Sequence, residues 1–194
     1  MDDRTQRYYS DNAEEYFRET VNSFVSKAAE EFLSHIPPKG RILDCGSGSG
    51  RDTKYFLDNG YDTDAIDASP ELCRIASEYT NHPVVCMDYN ALDRTEAYDG
   101  IWAQASLLHE KRENLPSLFS ILSSALRKSG VLYCSFREGK IDGREGERWY
   151  TNMTEESINP LLPTSLSPLK VWYSDDVRPG FSHRWMNILL SKTE

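Results

Sequence analysis

The fold of this chain is decided by the stretch RILDCGSGSG, residues 41–50. Its first half is a short apolar run that predicts a buried strand, and its second half carries glycines at alternate positions, Gly46, Gly48 and Gly50. Glycines at such positions let a ligand approach the backbone without interference from a Cβ atom. A helix predicted over 52–59 points its free N–H groups into the same space. The stretch therefore predicts a strand, a ligand-binding loop and a helix.

Helix and strand patterns alternate along the rest of the chain. Strands are predicted at 61–66, 84–87, 99–103, 131–136, 169–173 and 184–190, and helices at 11–34, 70–79, 115–126 and 154–162. The last two strands flank a turn rich in Asp, Pro and Gly and predict an antiparallel hairpin. The polar, glycine-rich stretch 137–152 predicts a long loop of the kind that forms a lid or a binding wall. This alternation predicts an α/β fold with a largely parallel sheet.

The first predicted helix begins with Asp11 and Glu14, which have the spacing of a capping box. The apolar residues of its buried face recur at helical spacing: Phe17, Val21, Phe24, Val25, Ala28 and Phe32. The helix is expected to end at the Pro-Pro-Lys-Gly stretch 37–40.

An aspartate lies at or next to the carboxyl end of each of the first three predicted strands. Ligands bind at the carboxyl ends of the strands in open parallel sheets. Asp67 ends the second strand, where a carboxylate can accept hydrogen bonds from both hydroxyls of a ribose, and Asp88 ends the third, where it could meet an adenine amino group. Two roles are open for Asp44 in the first strand: it holds the loop amides, or it contacts an amino group of the ligand. Together these acids predict a ligand that carries an adenosine.

Composition limits the classes of partner. The 22 Lys and Arg against 31 Asp and Glu give a formal net charge of −9, which argues against a dedicated nucleic-acid binder. No apolar run is long enough for a transmembrane helix, and the polar N-terminus has no apolar signal region, so a cytoplasmic location is expected. The four cysteines are scattered one by one and form no metal-binding or redox pair, so no metal is expected. We expect a monomer or a weak homodimer without membrane contact.

Two common phosphate-binding loops do not match the glycine stretch. A dinucleotide fingerprint needs a sixth-position glycine, but that position is Arg51 counted from Gly46 and Thr53 counted from Gly48. The Gly-Lys-Ser/Thr ending of a P-loop is also missing. The pattern Asp-x-Gly-x-Gly-x-Gly over 44–50 instead resembles the first motif of the class I S-adenosylmethionine-dependent methyltransferases.

The resemblance extends over most of the chain. Further segments that look like the family are 65–70, 87–89, 98–103, 127–132 and the final hairpin. More narrowly, 106–109 and 184–187 are similar to small bacterial methyltransferases that are often labelled tellurite-resistance-like. Cys45 and Ser47 depart from the residues that many relatives carry in the loop, but both substitutions are small.

The resemblance implies a fold, a cofactor and a set of site residues. The fold is a three-layer Rossmann-like sandwich with a mostly parallel seven-stranded sheet and a C-terminal antiparallel hairpin. The chain is expected to be one domain, 1–194, with an N-terminal helical cover over 1–38 and a cofactor-binding core over 39–194. The residues expected to bind S-adenosylmethionine are Asp44, Gly46, Ser47, Gly48, Gly50, Arg51, Asp67, Ala68, Asp88, Tyr89, Gln104 and Tyr16.

His109 is the candidate catalytic residue, because an imidazole titrates near neutral pH and can act as a general base. A hydrogen-bonded structural role is the alternative for this histidine. Four charged residues flank the long loop and either contact a charged substrate or form a solvated face: Arg137, Glu138, Arg144 and Arg148. Four aromatic residues either wall a substrate pocket or pack in the core: Trp149, Tyr150, Trp172 and Trp185.

The predicted function is transfer of a methyl group from S-adenosylmethionine to a small molecule by in-line displacement. Three alternatives stay open at this point: methylation of RNA such as tRNA, a non-catalytic S-adenosylmethionine-binding module, and a nicotinamide-dependent oxidoreductase. The net charge favours the small-molecule acceptor over RNA, and the missing glycine at Arg51 argues against a nicotinamide cofactor.

Overall fold

The computed structural model describes residues 1–23, 27–176 and 182–193. The helices are α1 (Asp3–Asp11), α2 (Ala13–Thr20), α3 (Lys27–Leu33), α4 (Arg51–Asp58), α5 (Pro70–Thr80), α6 (Leu115–Ala125) and α7 (Glu155–Ile158). The strands are β1 (Arg41–Cys45), β2 (Asp62–Asp67), β3 (Val84–Cys86), β4 (Tyr98–Ala103), β5 (Leu126–Arg137), β6 (Gly143–Glu145), β7 (Arg148–Tyr150), β8 (Leu166–Asp175) and β9 (Arg184–Lys192). Within these ranges no helix is long and apolar enough to cross a membrane.

Seven strands form one sheet in the order β3-β2-β1-β4-β5-β9-β8. From β3 to β5 in this order, each strand is parallel to its neighbours. Strand β9 runs antiparallel to both β5 and β8. The predicted mostly parallel sheet with a terminal antiparallel hairpin is therefore confirmed. The order of the strands reverses at β1 and β4, and ligands bind at such a switch point in open α/β sheets.

The two faces of the sheet bury alternate residues of the same strands, as the twofold repeat of a strand requires. On one face, Leu43 and Ile101 belong to a core cluster that includes Leu118 of α6. On the other face, the neighbouring residues Ile42 and Trp102 belong to a second cluster. That second cluster also holds side chains of α3 and α4, so helices cover both faces and form the three layers.

The predicted single helix over 11–34 is wrong. The backbone forms α1, breaks at Asn12, and continues as α2 and α3. The predicted capping box fails because Asp11 ends α1, and the acid that caps a helix is Asp2, whose side chain accepts from the backbone N–H groups of Arg4 and Thr5. The predicted core positions Phe24 and Val25 lie outside the described residues.

The predicted loop over 137–152 is also corrected. It contains a two-stranded antiparallel hairpin, in which Gly143 of β6 pairs with Tyr150 of β7 and Glu145 pairs with Arg148. Each strand has only three residues, which is too short to show an alternating pattern in the sequence. The helix predicted over 154–162 is a single α-helical turn, α7, followed by a 3-10 turn with a proline in its first positions.

Candidate active site

The glycine loop is tied to the end of β2 through its own backbone. The N–H groups of Gly46 and Ser47 donate to the carbonyl oxygen of Ile66 at 2.9 and 3.0 Å. Gly46 has a φ of +85°, and a Cβ atom there would lie 2.5 Å from the Cβ of Ser106. A side chain at this position would be both strained and in collision, so only glycine lets the loop pass between β1 and β4.

Asp67 holds the same loop from the end of β2. Its Oδ2 accepts from the N–H of Gly48 and its Oδ1 accepts from the N–H of Ser69, both at 2.9 Å. Burial raises the pKa of this carboxyl, while the backbone N–H groups act to lower it. A carboxylate has about four lone-pair sites, so each oxygen retains room to accept a further hydrogen bond from a ligand hydroxyl.

Two cavities meet at this corner of the sheet. The smaller has a volume of about 50 Å³ and is lined by eight of the predicted site residues: Tyr16, Gly46, Gly48, Asp67, Ala68, Tyr89, Gln104 and His109. The larger has a volume of about 190 Å³, and it includes Ser47 and Arg51 in its lining. Six residues line both cavities: Tyr9, Tyr16, Gly46, Gln104, Ala105 and His109. Two ligands that occupied these cavities would therefore meet beside those shared residues.

Three buried polar atoms at this corner lack a hydrogen-bond partner among the described residues. They are Ser47 Oγ, Tyr89 OH and Gln104 Oε1. Buried polar atoms of this kind are usually satisfied. The ammonium and hydroxyl groups of S-adenosylmethionine would supply donors here, so the residues present fit that cofactor.

Three predicted cofactor residues lie away from the cavities. Asp44 is buried and accepts from Thr53 Oγ1 at 2.6 Å; burial, reinforced by the charge of Asp52, raises its pKa to about 8. Gly50 is the N-cap of α4. The carboxylate of Asp88 accepts from the terminal ammonium of Met1 and from the side chain of Asn90. The structure thus gives each of these residues partners within the protein, and it brings the neighbouring Tyr89 to the smaller cavity instead of Asp88.

Arg51 lies on the larger cavity, where it joins the loop to the N-terminal segment. Its Nε and Nη2 donate to the two carboxylate oxygens of Asp52 at 2.7 and 2.8 Å, and its Nη1 donates to Ser23 Oγ at 2.7 Å. This guanidinium is therefore satisfied by a bidentate pair.

His109 stands between the two cavities and is held by two hydrogen bonds. Its Nδ1 lies 2.7 Å from the carbonyl oxygen of Trp149, and its Nε2 lies 2.7 Å from the hydroxyl of Tyr9. A carbonyl only accepts, so Nδ1 carries the proton and Nε2 accepts from Tyr9. Burial lowers the pKa of His109 to about 4, and the charges of Arg148 and Arg137 lower it further. The imidazole is therefore neutral at physiological pH.

The comparisons with known proteins agree with this geometry. A family model described as a methyltransferase domain matches residues 14–167. The structure of Burkholderia thailandensis 1,6-didemethyltoxoflavin-N1-methyltransferase, with bound 1,6-didemethyltoxoflavin and S-adenosylhomocysteine, has a TM-score of 0.78 and 21% identity, over 98% of this chain and 88% of that one. The comparison with curated proteins gave no match.

Two further solved structures share the fold. A methyltransferase from Methanosarcina mazei, described as S-adenosylmethionine-dependent, has a TM-score of 0.74 and 16% identity, over 83% of this chain and 96% of that one. One from Leishmania major with the same description has a TM-score of 0.68 and 19% identity, over 97% of this chain and 87% of that one. The chain belongs to the methyltransferase-domain family, and it shares its fold with S-adenosylmethionine-dependent methyltransferases.

Proposed function

We propose that this enzyme transfers a methyl group from S-adenosylmethionine to a small-molecule acceptor. In this proposal the smaller cavity takes the adenosyl part of the cofactor, and the larger cavity takes the acceptor. The observation that carries the proposal is the meeting of the two cavities at six shared residues, directly beside the glycine loop and Asp67.

Bound S-adenosylmethionine supplies a methyl group that is already activated by a positively charged sulfur. The task of the protein is therefore to bind, orient and exclude water. In this proposal Asp67 would accept from the ribose hydroxyls. The unsatisfied Gln104 Oε1 and Ser47 Oγ would receive the amino-acid part. Holding two reactants in attack geometry can contribute roughly 7–11 kcal/mol to lowering the barrier.

The N-terminal segment 1–38 acts as the cover of the site, and 39–194 act as the core. Support for this division comes from Tyr9 of α1 and Tyr16 of α2, which line both cavities. The ring of Tyr16 lies against the glycine loop, since a Cβ atom on Gly48 would be 3.1 Å from its Cε1. Access to the smaller cavity therefore depends on where α2 lies.

A small acceptor is favoured over RNA on two grounds. The net charge of −9 opposes binding of a phosphate backbone. The structural neighbour from Burkholderia thailandensis binds a small molecule, 1,6-didemethyltoxoflavin. The narrower tellurite-resistance-like subgroup, the cytoplasmic location and the monomer or weak homodimer stay predictions.

His109 stays a candidate base with a specific constraint. Its Nε2 is occupied by the hydroxyl of Tyr9, so a proton taken from the acceptor would reach the imidazole through that hydroxyl. An acceptor that is already ionised needs no such step, and His109 then serves to hold Tyr9 in place.

The test is release of S-adenosylhomocysteine when the enzyme is incubated with S-adenosylmethionine and a panel of small acceptors. Turnover with a small molecule and none with tRNA is the expected result. Binding of the cofactor without turnover on any acceptor would favour the non-catalytic module. Salt-sensitive turnover on tRNA would replace the proposed acceptor class with RNA.

A further inference from the structure

Two arginines stand on the wall of the larger cavity beside one tyrosine ring. Arg137 ends β5 and Arg148 begins β7, and both line the cavity. The Cζ of Arg137 lies 3.7 Å from the ring centroid of Tyr150, and the Cζ of Arg148 lies 5.5 Å from the same centroid. Two guanidinium groups thus share one aromatic ring, which concentrates positive charge on this wall.

Arg137 is buried and incompletely bonded. The residue is 6% exposed, and its Nη1 donates to Glu145 at 2.7 Å. Its Nε is buried and has no hydrogen-bond partner within the described ranges. An unsatisfied donor on a buried cation is costly, and the residue that carries it lines the larger cavity.

Arg148 lacks a carboxylate partner of its own. No described Asp or Glu forms an ion pair with it, and its guanidinium instead lies over the rings of Tyr8 and Tyr150. Glu145, its partner in the β6–β7 register, already pairs with Arg137 and has a side chain that is 59% exposed. One half-solvated carboxylate therefore faces two cations, and this wall is left with a net positive charge.

Two of the three other carboxylates on the cavity have described partners of their own. Asp52 is engaged by Arg51 and by Nε1 of Trp102 at 3.0 Å. Asp175 and Asp176 lie at the end of β8, where Asp176 accepts from Nε1 of Trp185 at 3.1 Å. Five aromatic side chains also line the cavity, together with polar ones such as Ser135 and Asn187. The aromatic residues are Tyr9, Tyr16, Tyr133, Tyr150 and Trp185.

We propose that the methyl acceptor is a small planar carboxylate, whose anionic group binds Arg137 and Arg148 above Tyr150. The assignment rests on the proposed function, which makes the larger cavity the acceptor site. The planar fork of a guanidinium matches a carboxylate and is the side chain of choice for it. The five aromatic side chains that line the cavity favour a ligand with a flat ring over one with a flexible chain.

The position of the arginines also orients the acceptor. Arg137 and Arg148 line only the larger cavity, whereas His109, Gln104 and Ala105 line both. The carboxylate is therefore held away from the cofactor corner, and a different atom of the acceptor faces the methyl group. The arginines act as specificity-determining residues and take no part in the bond that forms.

The experiment uses the full chain with benzoate as the anionic probe and benzamide as its neutral counterpart. Binding of S-adenosylhomocysteine is measured first by calorimetry, and each probe is then titrated with and without it. We expect benzoate to bind at least about tenfold more tightly than benzamide, because only benzoate forms the charge-assisted pair. Arg148→Gln should remove this preference, whereas the matched surface variant Arg74→Gln, paired outside the cavity with Glu78, should keep it.

Glu145→Gln gives an independent arm, because it removes the competitor of the probe for Arg137. Benzoate should then bind severalfold more tightly, with little change for benzamide. Equal binding of the two probes, or benzoate binding that Arg148→Gln leaves unchanged in a folded variant, would overturn the anionic acceptor. Failure to bind S-adenosylhomocysteine would instead contradict the proposed function, and the titrations without it would still decide the anion site.

Discussion

The hydroxyl of Tyr9 and the Nε2 of His109 lie 2.7 Å apart, although the two residues are 100 positions apart in the chain. The contact joins α1 to the turn that follows β4. Through Nδ1 the same imidazole is bonded to the backbone of β7 at Trp149. One neutral histidine thus links α1, the end of β4 and the β6–β7 hairpin around the two cavities.

Replacement of His109 by Gln is expected to change how stability depends on pH. The pKa is lowered to about 4 in the folded chain from an ordinary value near 6.5, so between these values the unfolded chain binds more protons. The wild-type free energy of unfolding should therefore fall as the pH falls through this window, by up to about 3 kcal/mol. Urea unfolding at pH 4.5 and 7 should show a smaller fall for His109→Gln. The surface variant His35→Gln should behave as wild type, and equal slopes in all three would contradict the prediction.

The removal of Asp67 should weaken cofactor binding. A hydrogen bond to a charged acceptor contributes roughly 1.5–3 kcal/mol, so Asp67→Ala is expected to weaken S-adenosylhomocysteine binding about tenfold or more. Asp67→Asn keeps one oxygen that can accept from Gly48 or Ser69, so its loss should be smaller. Calorimetry measures both affinities, and thermal melts check that the variants are folded. An unchanged affinity in a folded Asp67→Ala would remove Asp67 from the ribose site.

The buried acid Asp44 should make the protein less stable as the pH rises. Its pKa is raised to about 8, above the ordinary value of 3.8, so between pH 4 and 8 the folded chain binds the extra proton. Asp44→Asn still accepts from Thr53 and carries no charge, so it should be more stable than wild type at pH 8 by on the order of a few kcal/mol. Denaturation at pH 5 and pH 8 measures this. Asp58→Asn, at the surface, is the control, and a wild-type pH slope in Asp44→Asn would refute the argument.

A methyl group added at Gly100 of β4 should loosen the cover side of the sheet. The Cβ atom would lie 2.6 Å from Cζ of Phe32 in α3 and would also collide with Ile36. Overpacking of this kind costs typically about 1–3 kcal/mol, and we expect Gly100→Ala to lose that much stability. Gly143→Ala is the matched control, because its Cβ would have no atom within 4 Å. The melting temperatures of the two variants are compared. Equal values would contradict the prediction, because they would show that α3 moves aside with no loss of stability.

The elements that were predicted correctly are those whose signal is local. The stretch 41–50 predicts β1, the loop and α4, and the structure has them there. Ser69 and Pro70 predict the start of α5, and the hydroxyl of Ser69 does accept from the N–H of Leu72. These signals are read over a few residues, so no distant contact is needed to see them.

The errors lie where distant contacts outweigh the local pattern. The apolar repeat over 11–34 suits one helix, but α2 ends at Thr20, α3 begins at Lys27, and a separate helix, α1, ends at Asp11. The hairpin β6–β7 was missed because two three-residue strands leave no periodic signal. Asp88 ends β3 in the predicted manner, yet its carboxylate is bound by Met1 and Asn90 instead of facing the smaller cavity.

The sequence by itself determined the α/β class, the glycine loop and the acid at the end of β2, because strand ends and turns follow from patterns among near neighbours. From these features it predicted an adenosine-bearing ligand. Only the tertiary structure decided which side chains surround the larger cavity. Tyr9, His109, Arg137 and Arg148 come from four separate segments, and they line that cavity together because α1, β5, β7 and the turn after β4 meet there. The lowered pKa of His109 and the unsatisfied Nε of Arg137 arise from burial among these segments, which no single stretch of sequence can express.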